Sequence, residues 1–148
     1  MENSSEKQYP FFRFEDLRVY HKALDYIVWV NDVAKKCLEN NNDQLLKRFD
    51  YSAQNIALNI AEGSARNKSQ FIYHLKVSKT SLRECLVFTT IAYNLGYFSD
   101  ELNDTSRGHL MEMTKMIGAL ISSLQKTMSK EEEEEDCSEK YPTNSYLT

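Results

Sequence analysis

The chain has 148 residues, of which 41% are hydrophobic and 27% charged, with only four glycines, two prolines and a net charge of −4. This length fits one domain with its own core, and the scarcity of turn-forming residues disfavours β-sandwiches and β-barrels. No uncharged stretch is long enough to span a bilayer, and the N-terminus lacks the basic-then-apolar order of a signal peptide. We therefore expect a cytoplasmic protein without a membrane partner.

The first half of the chain predicts two helices after a short leader. Residues 1–13 are polar and then aromatic without helical periodicity, and we predict a partly ordered leader there. Apolar residues recur with helical spacing from about residue 15 to residue 39, and the asparagines at 40–42 predict a loop. The next helix begins after Asp43 as its N-cap and ends at Gly63, which can adopt the left-handed conformation of a C-cap.

The second half predicts two further helices and a tail. Ser69 is the predicted N-cap of the third helix, which ends at Gly96. Ser99 caps the fourth helix, which runs to about Met128. Residues 1–130 carry 17 Lys and Arg against 15 Asp and Glu, a balance of +2, whereas residues 131–148 carry one Lys against seven acids, a balance of −6. Such an acidic run predicts a disordered tail over 129–148.

Each predicted helix has an apolar seam with steps of three and four residues. The seams are Leu17, Tyr20, Leu24, Ile27 and Leu38 in the first helix, Leu45, Phe49, Ala53, Ile56 and Ile60 in the second, Phe71, Leu75, Ser78, Leu82, Cys85 and Thr89 in the third, and Leu110, Met113, Ile117, Ile121, Leu124 and Met128 in the fourth. Four long helices joined by short loops predict an all-α protein, an up-down-up-down antiparallel four-helix bundle over residues 14–128.

The first helix carries a second apolar stripe, which lies almost opposite Leu24 at about 100° per residue. Its members are Val19, Tyr26, Trp29, Val30, Val33 and Cys37. The stripe is either part of a wide core-facing surface or a surface buried against another subunit. Its spacing approximates that of a coiled coil over nearly three heptads, and we therefore favour a subunit interface.

The second helix has a polar face opposite Ala53 that includes Asn55, Asn59 and Glu62. This face is either solvated or a hydrogen-bonded seam between subunits. Buried Asn and Glu residues at such a seam would fix the register of the two helices. We include these three residues in the predicted subunit interface.

Several motifs match one protein family in order and spacing over about residues 14–126. They are Phe14–Tyr20 against "F-x-D-L-x-V-W", Asn59–Gly63 followed by Arg66 and Ser69 against "N-I-A-E-G…R…S", Ser81–Glu84 against "S-x-x-E", and Leu95–Tyr97 against "L-G-Y". The chain thus resembles the four-helix-bundle proteins of the bacterial 23S rRNA intervening-sequence family. Tyr20 departs from the usual Trp, the asparagine loop replaces the family's "F-P-x-x-E", and the acidic tail is additional.

The resemblance carries implications for assembly and partners. It implies a homopentamer in which the bundles form a tapered barrel. It also implies kinship with the accessory proteins of diversity-generating retroelements, which have a basic surface and bind nucleic acid and a reverse transcriptase.

The sequence lacks the patterns of common catalytic and metal sites. No Glu-x-x-His motif, which di-iron helical bundles use, and no glycine-rich phosphate loop is present. The three cysteines, Cys37, Cys85 and Cys137, are widely spaced and form no C-x-x-C pair. We expect no metal, no cofactor and no enzymatic activity.

One feature predicts binding, a basic stripe on the third helix. Five cations and no acid lie between residues 64 and 83, and the last three cations step by three and four residues. The predicted nucleic-acid-binding residues are Arg66, Lys68, Tyr73, Lys76, Lys79 and Arg83, with the tyrosine able to stack on a base. The stripe is otherwise a solvated flank, or a site where an interaction scaffold binds an acidic protein without nucleic acid. We favour a nucleic-acid-binding or ribonucleoprotein accessory role, because an oligomer multiplies the phosphate contacts.

Overall fold

The computed structural model describes residues 12–37 and 44–140. A short 3-10 helix (Arg13–Asp16) precedes four α-helices. The four are α1 (Arg18–Cys37), α2 (Gln44–Ser64), α3 (Lys68–Asn94) and α4 (Asp100–Lys140). Neither described range contains a strand, so the prediction of an all-α protein with four helices is confirmed. Most of the predicted leader, the asparagine loop and the Asp43 cap lie outside the described residues.

The helices pack in a closed order. Each helix contacts the next one along the chain, and α1 also contacts α4. Between α2 and α3, Ser52 meets Glu84 whereas the later Asn59 meets the earlier His74, so the two helices run antiparallel. The same reversal relates α3 to α4 and α1 to α4. This is the packing order of the up-down-up-down bundle that the sequence predicts.

The core contains the seams predicted for the second, third and fourth helices. Their buried members are Phe49, Ala53, Ile56, Ile60, Leu75, Ser78, Leu82, Cys85, Thr89, Leu110, Met113, Ile117 and Ile121. Leu45, Phe71, Leu124 and Met128, near the ends of the seams, are half-buried. The apolar periodicity of these three helices therefore identifies the inward face correctly.

In α1 the core takes in both apolar faces. Of the predicted seam, Leu17, Tyr20 and Ile27 are half-buried against the core, and Leu38 lies outside the described residues. Val19, Tyr26, Val30 and Val33 keep at most 7% of their surface exposed within a single chain, whereas Leu24 is 37% exposed. The prediction that this stripe forms a subunit interface is therefore wrong, because its residues are already buried in the protomer's own core.

The remaining two members of the stripe also pack within the chain. The indole ring of Trp29 lies 6.1 Å from the ring of Phe98, measured between centroids. The Cys37 thiol donates a hydrogen bond to the Tyr97 carbonyl oxygen, with an Sγ–O distance of 3.2 Å. Both side chains therefore join α1 to the segment between α3 and α4.

A buried hydroxyl chain connects the inward Tyr26 side of α1 to two other helices. Tyr26 Oη lies 2.9 Å from Ser106 Oγ, which lies 2.7 Å from Thr89 Oγ1, and Thr89 donates to the Cys85 carbonyl oxygen at 2.8 Å. Each hydroxyl has one proton, and Thr89 donates its own to the Cys85 carbonyl oxygen. Ser106 therefore donates to Thr89, and Tyr26 donates to Ser106. Burial raises the pKa of the Tyr26 phenol well above its usual value and that of the Cys85 thiol to about 12. The chain of neutral groups therefore joins α1, α4 and α3.

The junction between α2 and α3 differs from the prediction at two residues. Gly63 is helical and buried inside α2 rather than a left-handed C-cap. A Cβ atom at Gly63 would lie 2.7 Å from His74 Cβ and 2.8 Å from Phe71 Cδ2, so a glycine is needed for α3 to pack this closely. The N-cap of α3 is Asn67 rather than Ser69, and its side-chain oxygen accepts from the Gln70 amide at 2.9 Å.

The ends of α3 and α4 test three further predictions. Gly96 follows α3 with a φ of +79°, and Ser99 Oγ accepts from the Leu102 amide at 3.1 Å, so both predicted caps are confirmed. The disordered-tail prediction is wrong for residues 129–140, because α4 continues to Lys140, and glutamates are good helix formers. Residues 141–148 lie outside the described part of the chain. No helix in the described ranges is both long and apolar enough to cross a membrane.

Candidate nucleic-acid interface

Three cations of the predicted stripe share one outer face of α3. Lys76 and Arg83 are exposed and Lys79 is half-buried. Buried residues such as Leu75, Ser78 and Leu82 hold this helix against α2 and α4, which leaves the stripe on the outside. No residue in the described ranges forms a salt bridge with any of the three cations. We call Lys76, Lys79 and Arg83 the α3 stripe.

The two earlier cations of the predicted set have acidic partners instead. Arg66 Nη2 donates to Glu62 Oε1 at 2.5 Å, and Arg66 Nε donates to the same oxygen at 3.1 Å. These hydrogen bonds, together with the guanidinium charge, hold the pKa of the Glu62 carboxyl below its usual value. Lys68 forms a salt bridge with Glu131 of α4. The structure therefore divides the five predicted cations into two that are paired and three that form no salt bridge with a described residue.

Tyr73 lies on α3 one turn before Lys76. It is 64% exposed, and its ring meets the His74 ring edge-on with centroids 5.3 Å apart. This arrangement leaves the tyrosine ring accessible beside the α3 stripe. A base could stack on it while its phosphates contact the cations.

Sequence reasoning missed two further cations, Arg107 and Lys115, which α4 brings next to Arg83. The three line a groove of about 440 Å³ between the helices, here called the α3–α4 groove. Its lining residues are Leu82, Arg83, Leu86, Arg107, Leu110, Met111, Thr114 and Lys115. The two α4 cations lie eight residues apart, a spacing typical of one helix face, but only the pairing of α3 with α4 places them beside Arg83.

The predicted polar seam of α2 is largely satisfied within the chain. Asn59 Nδ2 donates to the Asn55 carbonyl oxygen at 2.9 Å, and Asn59 Oδ1 accepts from His74 Nδ1 at 3.2 Å. Glu62 pairs with Arg66 as described above. Asn59 therefore holds α2 against α3 instead of facing another subunit, while the exposed Tyr51 and Leu58 lie on the outward side of α2.

Potential metal ligands are scattered over the molecule. Among residues 12–37 and 44–140, no group of three or more His, Cys, Asp or Glu side chains is placed to hold a metal ion. Cys85 is buried, Cys37 is half-buried and Cys137 is exposed on α4. Burial raises the pKa of the Cys37 thiol above its usual value, which keeps that sulfur protonated at neutral pH.

Comparison with known proteins gives a family match and a structural neighbour. The model of a family described as 23S rRNA-intervening sequence protein matches residues 15–119. A solved structure from Bacteroides thetaiotaomicron, a protein with unknown function from the S23 ribosomal protein family, superimposes with a TM-score of 0.65 at 20% sequence identity. The alignment covers 70% of this chain and 95% of that one, and at this identity it shows a shared fold. No curated protein matches the chain.

Proposed function

Because the chain belongs to the family of 23S rRNA-intervening sequence proteins, we propose that it is a non-catalytic nucleic-acid-binding or ribonucleoprotein accessory protein of the cytoplasm. The observation that carries this proposal is the α3 stripe. Its three cations lie on one outer face of α3, and no described residue forms a salt bridge with them. Such a surface attracts a polyanion, and a phosphate backbone supplies charges at regular spacing.

Binding would proceed through phosphate contacts. Each Lys or Arg that neutralises a phosphate releases counterions, so the affinity falls steeply as salt is added. The Tyr73 ring adds a surface for stacking that does not depend on base identity. Arg66 and Lys68 could join only by exchanging Glu62 and Glu131 for phosphates, which favours the α3 stripe as the primary contact.

The proposal includes assembly into the homopentamer that the family resemblance implies, and kinship with the accessory proteins of diversity-generating retroelements. Since the inner stripe of α1 fills the protomer core, we assign the subunit contact to the outward face of α2. Tyr51, Asn55, Leu58 and Glu62 recur there with steps of four, three and four residues. Tyr51 is 66% and Leu58 59% exposed in the single chain. Five copies would repeat the α3 stripe around a ring.

The α3 stripe is tested by reversing two of its charges. We expect Lys76→Glu combined with Lys79→Glu to weaken binding of a fluorescent single-stranded RNA or DNA by at least about tenfold and to lower the salt slope by roughly two. The matched control is Lys35→Glu combined with Lys36→Glu, which makes the same charge change in the last turn of α1. Equal losses in both variants, or no binding by the unmodified chain, would contradict the proposal.

A further inference from the structure

We propose that the α3–α4 groove is a docking site for a partner protein, which inserts an amphipathic helix with apolar residues flanked by Asp or Glu. The proposal goes beyond nucleic-acid binding, because it concerns a different class of ligand and a surface that shares only Arg83 with the α3 stripe. It rests on the apolar floor of the groove, the placement of its cations and the exposure of two of its side chains.

The floor and walls of the groove are aliphatic. Leu82 and Leu110 are almost fully buried and form the floor. Leu86 and Met111 stand above them and are 37% and 58% exposed. Leucine and methionine walls between two helices are typical of grooves that receive the apolar face of a third helix. The exposed apolar surface of Leu86 and Met111 is therefore suited to packing against another apolar surface.

The cations of the groove bracket this apolar centre. Arg107 lies at one end, where its Nη2 atom donates to Thr90 Oγ1 at 3.0 Å. Arg83 lies seven residues earlier than Thr90 on α3, and Lys115 eight residues after Arg107 on α4. At 1.5 Å per residue each separation is about 10–12 Å, or two helical turns. The described lining residues include no Asp or Glu.

This geometry defines the ligand. A helix lying along the groove would present two acids about seven residues apart, with apolar residues three or four positions after the first acid. Charge complementarity therefore favours an acidic partner over a neutral or basic one. The lining residues include no aromatic ring on which a base could stack, and this favours a protein helix over a nucleic acid.

The direct test uses three synthetic helical peptides and the full-length chain. The first carries two glutamates seven residues apart on either side of two leucines. The second has serines in place of the leucines, and the third has glutamines in place of the glutamates. We expect the first peptide to bind at least about tenfold more tightly than either of the others by fluorescence anisotropy, because the groove needs both features. Failure of the first peptide to bind, or equal binding of the second, would overturn the proposal.

Two variants locate the binding surface. Met111→Asp is expected to weaken the first peptide by at least about tenfold, since it replaces one apolar wall of the groove with an acid. Val87→Asp is the matched control, because Val87 is 57% exposed on α3 yet does not line the groove. Lys115→Glu is a second groove variant that leaves the apolar surface intact. Equal weakening by Val87→Asp, with all variants folded by circular dichroism, would show that the groove is not the site.

The same variants separate this inference from the proposed function and from self-association. Met111→Asp is expected to weaken the first peptide far more than the oligonucleotide, and Lys76→Glu combined with Lys79→Glu is expected to weaken the oligonucleotide far more than the first peptide, because the two surfaces share only Arg83. If Met111→Asp abolished oligonucleotide binding, the groove would belong to nucleic acid and the proposal would fail. If Met111→Asp changed the molecular mass in light scattering, a second copy of the chain would fill the groove, and the proposal would also fail.

Discussion

Two regions that both involve α3 carry polar and charged residues, yet they use them differently. At the α2–α3 junction, Asn59 bonds to His74, Glu62 bonds to Arg66, and Gly63 lets the two helices pack closely. Further along α3, the three cations of the α3 stripe form no salt bridge with a described residue. The junction's polar groups are satisfied by the protein's own packing, whereas the stripe's charges face solvent.

The difference separates the residues that identify the family from those proposed to bind a ligand. The run Asn59–Gly63 carries much of the family resemblance, and within it Asn59 bonds to His74 of α3 and Gly63 lets α3 approach closely. The α3 stripe lies outside that run, on the opposite side of α3 from the buried Ser78 and Ser81. This motif thus reports close helix packing, and the candidate binding surface is found by locating charges that form no salt bridge among the described residues.

The largest expected effect comes from filling the junction. We expect Gly63→Ala to destabilise the protein by about 2 kcal/mol in urea denaturation, because its Cβ would collide with His74 Cβ and the Phe71 ring. Gly118→Ala is the matched control in a helix, since a Cβ there meets nothing within 4 Å. It should stabilise α4 by about 0.5–1 kcal/mol. A tolerated Gly63→Ala would mean that the junction is loosely packed.

The buried hydroxyl chain is expected to give the next largest effect. Thr89→Val keeps the shape of the side chain but removes the acceptor for Ser106, which should cost about 1–2 kcal/mol. Thr80→Val provides a control on the same helix, because Thr80 is exposed and bonds only weakly to the Lys76 carbonyl oxygen, at 3.4 Å. Its change should stay within about 0.5 kcal/mol. If Thr89→Val and Thr80→Val lost the same stability in thermal unfolding, the buried hydroxyl chain would have no structural role.

Removing residues 131–148 is expected to lower the stability of the protein slightly and to strengthen its binding of oligonucleotides. The loss of the Lys68–Glu131 salt bridge should cost less than about 1 kcal/mol, because it is exposed. The net charge changes from −4 to +2, since the segment carries one Lys and seven acids. We expect tighter oligonucleotide binding at low salt by anisotropy, and the gain should fade as salt is added. Unchanged binding at low salt would show that the acidic segment does not influence the stripe.

The smallest effect concerns the titration of Glu62. Its pKa is lowered by Arg66, so its contribution to stability is present above the pKa of the unfolded state and is lost as the pH falls through the lowered folded value. Arg66→Gln should return the pKa of Glu62 toward its usual range in a carboxyl NMR titration, and Lys68→Gln should not. If the pKa of Glu62 were unchanged in Arg66→Gln, Arg66 would not be the cause of its lowered value.

Local signals in the sequence predict most of the fold. The seams of three helices, the Ser99 cap and Gly96 depend on neighbouring residues and are found from spacing alone. The inward face of α1 depends instead on contacts with residues distant in sequence, such as the bond from Tyr26 to Ser106, 80 residues away. Apolar periodicity cannot rank two apolar faces of one helix, because the deeper burial of one of them is decided by packing against distant helices. Gly63 was misassigned for a similar reason, since a helix-ending glycine and a close-packing glycine look alike in sequence.

The candidate site also has a part that local sequence spacing predicts and a part that depends on helix packing. Lys76, Lys79 and Arg83 share one helix, so their spacing alone predicts a common face. Arg107 and Lys115 join them only through the pairing of α3 with α4, which no local pattern specifies. The acidic segment after Met128 was predicted to be disordered from its charge. Its first part is helical because glutamate favours helices and Glu131 has a partner in Lys68.

The helical continuation of α4 has a consequence for how the molecule meets a charged surface. Residues 131–140 extend α4 by about 15 Å from the Lys68 contact, and they begin with six consecutive acids. Positive charge on the flank and negative charge at one tip give the protomer a permanent electric dipole. A polyanion would repel the tip and attract the flank, and so would turn each approaching molecule before contact. For the proposed polyanion ligand, this would favour encounters in which the α3 stripe faces the ligand.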